Sequence, residues 1–160
     1  MHFTVKTASL LGVEANPIDA EVDIKPIQGE QNGSFLMVGL PDAAVRESRE
    51  RIRSAITNTG FGFPFARVTV NLAPADIRKG GSGYDLPVAV GILAASGDMG
   101  KEIDRIGDTL FYGELGLDGR VRPVRGALAV AVACARTGVR RLVVAEESVE
   151  EAAVVRGVDV

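Results

Sequence analysis

The sequence predicts an α+β fold, a two-layer α/β domain built on a mixed sheet. Three observations predict it. Segments with two-residue alternation crowd the first half of the chain. Segments of helical spacing are interleaved with them from residue 41 onward. Asp118-Gly119 then marks a tight hairpin turn, because glycine tolerates the positive φ that such a connection demands. Hairpins among alternating strands and helices exclude a purely parallel, doubly wound sheet.

The elements follow in order. His2 to Ala8 alternates through Phe3, Val5 and Thr7. Residues Ala20 to Ile27 set Ala20, Val22 and Ile24 against Glu21, Asp23 and Lys25, so one face is apolar and the other charged. Pro26 and the 28–33 stretch make a turn or loop. Phe35 to Val38 is apolar throughout and reads as a central strand. A helix starts at Pro41 or Asp42, where a missing donor or a carboxylate suits the positive N-terminal end. Val45, Ser48, Ile52, Ala55 and Ile56 give it an inward face, and Gly60 a stop. Phe61, Phe63 and Phe65 form a corner that plugs the core, and Val68 to Leu72 is a strand.

Leu86 to Ala95 is apolar on nearly every side, the mark of a buried helix, with Pro87 tolerated in its first turn. Strands follow at Leu110–Leu115 and Arg120–Val124, then a small-residue helix over Gly126–Ala135 ending near Gly138. Arg141 to Val144 is a strand, Glu146 to Val155 a helix, and a last strand starts at Val158 and is cut off at Val160.

The 160 residues, 46% hydrophobic and 24% charged, suit one globular domain over 1–160 without repeats or linkers. The single cysteine, Cys134, excludes an intramolecular disulfide and a Cys-rich zinc site, and the single histidine, His2, excludes a His cluster. No segment approaches the ~18 consecutive apolar residues of a membrane span, and no secretory pattern opens the chain. A cytoplasmic, membrane-free protein is expected. The net charge of −3 gives no global attraction to nucleic acid, so any such contact needs a local basic face.

Three ordered segments carry a resemblance. They are Val38-Gly39-Leu40-Pro41-Asp42 running into Glu47-Ser48-Arg49-Glu50-Arg51; Val70-Asn71-Leu72-Ala73-Pro74-Ala75-Asp76-Ile77-Arg78-Lys79; and Gly81-Ser82-Gly83-Tyr84-Asp85-Leu86-Pro87. Together they resemble the N-terminal domain of the ComM/YifB family, often labelled magnesium-chelatase-like. The resemblance implies a Lon-protease-domain-like fold of the ribosomal-protein second-domain-like type, similar also to the C-terminal domain of RadA. It implies that an AAA+ ATPase module follows, with a homo-oligomeric, hexameric ring and a role in DNA branch migration during recombination and natural transformation. No P-loop is present: Gly80-Gly81-Ser82-Gly83 follows Lys79 instead of preceding a Lys-Ser/Thr pair. ATP and magnesium are therefore expected only with the missing module, and this chain is expected to hold no cofactor or metal.

Lon-type proteases use a Ser–Lys dyad, the lysine taking the serine's proton. Laid on this sequence, the resemblance places Gly83 at the nucleophile position. The segment Gly119-Arg120-Val121-Arg122-Pro123-Val124-Arg125-Gly126-Ala127 then places Leu128 at that of the lysine. Neither side chain can do the chemistry, so no catalytic residue is expected. Ser82, one position early, is the alternative nucleophile of an unusual peptidase, but no base accompanies it. A pure protein–protein scaffold is the third reading.

Candidate nucleic-acid or anion contacts are cationic. Arg46, Arg49 and Arg53 share one helical stripe, which either follows a phosphate backbone or is a solvated face laced with Glu47 and Glu50. Arg78 and Lys79 flank glycines just before a helix, a combination suited to an anion or simply to a sharp helix entry. Arg120 and Arg122 share one face of the return strand, bordering a channel or deterring edge pairing.

Overall fold

Two long strands form the middle of the computed structural model, β1 (His2–Leu11) and β2 (Glu14–Lys25), joined by a tight turn at Gly12-Val13. The structure describes residues 1–29, 32–39 and 43–160, leaving out the side chains of residues 44–46. β2 also pairs antiparallel with β4 (Arg67–Ala73), and β4 pairs parallel with β3 (Ser34–Val38). On the other side β1 pairs parallel with β5 (Thr109–Phe111), and β5 with β8 (Arg141–Val143). The order is β3-β4-β2-β1-β5-β8, a mixed six-stranded sheet. A separate hairpin pairs β6 (Glu114–Leu115) with β7 (Val121–Arg122).

Alternation decides what the sheet buries. Val5, Ala20, Val22, Val68, Val70 and Leu72 point to one face and are fully buried. Helices α1 (Ala43–Asn58) and α2 (Asp85–Ala95) cover that face. α1 contributes Ser48, Ile52, Ala55 and Ile56 at helical spacing, as expected. Gly60, at φ 93°, ends it, with the Phe61 amide donating back to the Ile56 carbonyl. α2 is buried over ten of its eleven residues and allows no bulk at Gly91, where a Cβ would lie 2.6 Å from Val22 Cγ2. The α+β, two-layer reading therefore holds. A third helix, α3 (Ile103–Ile106), is one turn long. α4 (Ala127–Thr137) makes a second core with Ala8, Ala15, Leu110 and Leu142, which face the other way, so β1 is covered on both sides near Ala8. α5 (Val149–Ala152) packs on α4 through Ala152.

Several expectations are corrected. β2 starts six residues before Ala20. Pro17 is accommodated because β4 pairs with β2 only from Asp19 onward, so one side of β2 is free of a ladder there. β3 lies at the sheet edge, not its centre: Leu36 and Val38 are exposed while Phe35 and Met37 are buried. The run Leu110–Leu115 is two strands in different sheets, and the return strand shortens to Val121–Arg122. The helix over Glu146–Val155 is a 3₁₀ turn (Glu146–Ser148) followed by α5. Phe61 and Phe65 are exposed, and only Phe63 of that corner packs on the core. Asp159 bridges Arg141 in parallel, in keeping with a strand starting at Val158. The helix start at Pro41 or Asp42 lies outside the described residues. No helix among the described residues is long and apolar enough to cross a membrane.

Candidate functional site

The start of α2 is where the resemblance places chemistry, and there the chain buries a charge. Asp85, the first residue of α2, has no exposed surface. Arg51 of α1 donates to both its carboxylate oxygens, Nε to Oδ2 at 2.7 Å and Nη2 to Oδ1 at 3.2 Å. The Leu115 amide of β6 donates to Oδ2 at 3.1 Å. Burial raises the Asp85 carboxyl above its ordinary range, while Arg51 and the Leu115 N–H pull it back. The same hydrogen bond holds the Arg51 guanidinium still more firmly protonated. Three separate elements are thus joined at one carboxylate. Neither Asp85 nor Arg51 stands out in the sequence as a pair. The available signal was an acid opening a wholly apolar helix, which burial requires to be partnered.

Gly83 lies two residues before α2, and a Cβ built there would stand 2.4 and 2.8 Å from ring carbons of Tyr112. The ring is fixed in turn. Its hydroxyl donates to the Arg125 carbonyl at 2.7 Å, and burial pushes the phenol's pKa up. Gly113 donates to the Gly83 carbonyl, and Leu86 to the Gly113 carbonyl, both at 3.1 Å. The space that a side chain at Gly83 would need is therefore occupied by an aromatic ring, which sequence reading did not foresee. Leu128, where the resemblance sets the lysine, lies in the first turn of α4 and is 41% exposed beside Leu10 and Val132. Ser82 is half-buried. Among the described residues its hydroxyl has no hydrogen bond to a basic side chain.

The cations scatter. Lys79 is a correction to the candidate anion loop: it is fully buried, and its ammonium donates to the Pro74 carbonyl. Desolvation lowers its pKa. Arg78 remains exposed, while its carbonyl accepts from Ser9 Oγ at 2.9 Å. In the α1 stripe, Arg49 donates to the Phe35 carbonyl at 3.3 Å, and Arg53 lies 4.5 Å from the centroid of the Phe63 ring. Both support the β3 side of the sheet. The side chain of Arg46 lies outside the described residues. Arg120 and Arg122 line one depression of about 580 Å³ with Glu114, Asp118 and Glu147, and Arg120 pairs with Glu147 at 3.3 Å. The acids dilute the positive charge at this spot. Among the described residues no group of three or more His, Cys, Asp or Glu side chains is placed to hold a metal ion.

Residues 21–148 match the family described as subunit ChlI of Mg-chelatase. An uncharacterized protein of Mycobacterium bovis is 42% identical over 155 residues, covering 96% of this chain and 29% of its own length. A protein named YifB from Escherichia coli is 41% identical over 154 residues, with the same shares, 96% and 29%. A competence protein, ComM, from Haemophilus influenzae is 39% identical over 153 residues, covering 94% and 28%. The chain thus spans less than a third of the length of the curated relatives it matches. All three motifs of the resemblance lie inside the aligned share of the chain, and the chain belongs to the Mg-chelatase ChlI-subunit family, with relatives named YifB and ComM.

Proposed function

We propose that this chain is the Lon-like N-terminal domain of a longer, cytoplasmic ComM-type AAA+ protein. In this reading it works without peptidase chemistry, in ring assembly and in contact with DNA during branch migration. The observation that carries the non-catalytic part is the Tyr112 ring at Gly83: a nucleophile there has no room, and Leu128 offers no base. The ATPase module of the longer protein supplies the ATP and magnesium chemistry and the hexameric ring, and this domain supplies a rigid surface. Arg78 and Arg122 are candidate cations that stay exposed with no ion pair among the described residues, and Arg120, exposed beside Arg122, would have to exchange Glu147 for a phosphate; Lys79 points inward, and Arg49 and Arg53 are engaged with β3 and Phe63.

Fluorescence anisotropy with single- and double-stranded DNA, over a salt series, tests the DNA part. Binding is expected at low salt and is lost as salt rises, because phosphate contacts release counterions. Arg120→Ala with Arg122→Ala weakens it across all sequences. Flat titrations at low salt would leave a pure scaffold. A peptide-cleavage assay tests the rest: cleavage abolished by Ser82→Ala would replace this reading with the peptidase.

A further inference from the structure

The β1–β2 connection is a two-residue turn, with Leu11 opposite Glu14 and Gly12 at φ 62°. Such turns ordinarily carry polar residues that favour their geometry and meet water. Here Val13 is 90% exposed and Leu11 66%. Gly12 and Val13 of this tip also form part of the wall of a groove of about 650 Å³ between the hairpin and α4, with Leu10, Leu128, Ala129 and Val132. Leu128 and Val132 are exposed within it. A projecting apolar knob and an apolar groove thus share one surface.

The charges on the same rim select an occupant. Arg136 is committed to the Ala15 carbonyl at 3.1 Å, and Glu151 faces the Leu128 amide at 3.5 Å. Glu14 and Arg125 also line the groove, are exposed, and form no ion pair with any described residue. They are of opposite sign, so a partner carrying the same pair, turned about a two-fold axis, matches both. A surface that holds knob, groove and both charges carries the paired features that an isologous contact requires.

We propose that this face binds a second copy of the chain about a two-fold axis. Each hairpin tip sits in the other copy's groove, and each Glu14 faces the other copy's Arg125. The contact goes beyond the ring reading, because rings close through head-to-tail contacts and this one pairs chains.

Sedimentation velocity over a concentration series tests it. The wild-type chain shifts from monomer to dimer as concentration rises. Val13→Glu and Leu128→Glu, both at exposed positions and checked for folding by circular dichroism, remain monomeric. Glu14→Arg and Arg125→Glu each weaken the dimer, and the two together restore it. A wild-type chain that stays monomeric at every concentration overturns the proposal. So does association that survives Val13→Glu, or a double charge swap that stays monomeric. DNA titrations of the monomeric variants report separately on the proposed function.

Discussion

At Gly83 a single missing methyl group decides what the start of α2 can be. Gly83→Ala puts a carbon against the Tyr112 ring, which is held by its own hydrogen bond and cannot swing away. A loss of about 1–3 kcal/mol in urea unfolding is expected, the usual cost of overpacking a filled site. Under the proposed reading, Gly83→Ser loses a similar amount and gains no peptidase activity; cleavage by that variant would sink the reading. Arg51→Met tests the buried pair. Removing the guanidinium leaves Asp85 charged and buried, at a cost of about 3–5 kcal/mol near neutral pH. The pH profile carries the sign. A carboxyl whose pKa is raised on folding contributes stability fully below its unfolded value, 3.8, and loses it as pH rises through the raised folded value. Without Arg51 burial is opposed only by the Leu115 N–H, so stability falls more steeply with rising pH in the variant than in the parent. Parallel profiles by urea titration would contradict this. Individual side chains were the least legible scale of the sequence. Lys79 reads as a surface cation, yet the fold turns its ammonium onto a carbonyl, and nothing in the spacing of residues 78–83 announces that.

Among the elements, legibility followed periodicity. α2 and β4 read correctly because their patterns are long and uniform: an apolar run for one and alternation for the other. β3 misled because Phe35, Leu36, Met37 and Val38 are all apolar, so composition hides which alternate pair faces water. The β5–β6 break misled because pairing partners, not the residues of 110–115, determine where one strand stops. The hairpin turn at Asp118-Gly119 was legible, but its docking was not. Gly119, at φ 86°, faces Thr59 so closely that a Cβ would lie 2.2 Å from Thr59 Cγ2, and Asn58 Nδ2 donates to the Leu117 carbonyl at 2.7 Å. Gly119→Ala should therefore cost about 1–3 kcal/mol in thermal or urea unfolding, through both backbone strain and the clash. A neutral substitution would show that the hairpin does not dock on α1. In α4 the Cys134 thiol is fully buried and its pKa is pushed up to about 11. It should resist a disulfide reagent at pH 8 until denaturant opens the helix, at a rate that tracks unfolding. Immediate labelling of the folded protein would contradict that packing.

For the molecule as a whole, the sequence conveyed the layer architecture and the family, because both rest on extended patterns and ordered motifs. It could not convey which surface is cationic, since that depends on pairing across elements, as with Arg120 and Glu147. The net charge of −3 also means that any DNA affinity must be local, so it should vanish at moderate salt and be reduced by Arg78→Ala. Unchanged anisotropy in that variant would move the contact elsewhere. The attachment of Leu115 to Asp85 reaches furthest. A two-residue strand ordinarily frays, and its amides trade hydrogen for deuterium quickly. Here the Leu115 amide is tethered to a buried carboxylate held by α1, so it can exchange only when the α1–α2 packing itself opens. Its protection should match that of the α2 amides and rise or fall with them, which makes one backbone hydrogen a gauge of cooperative opening.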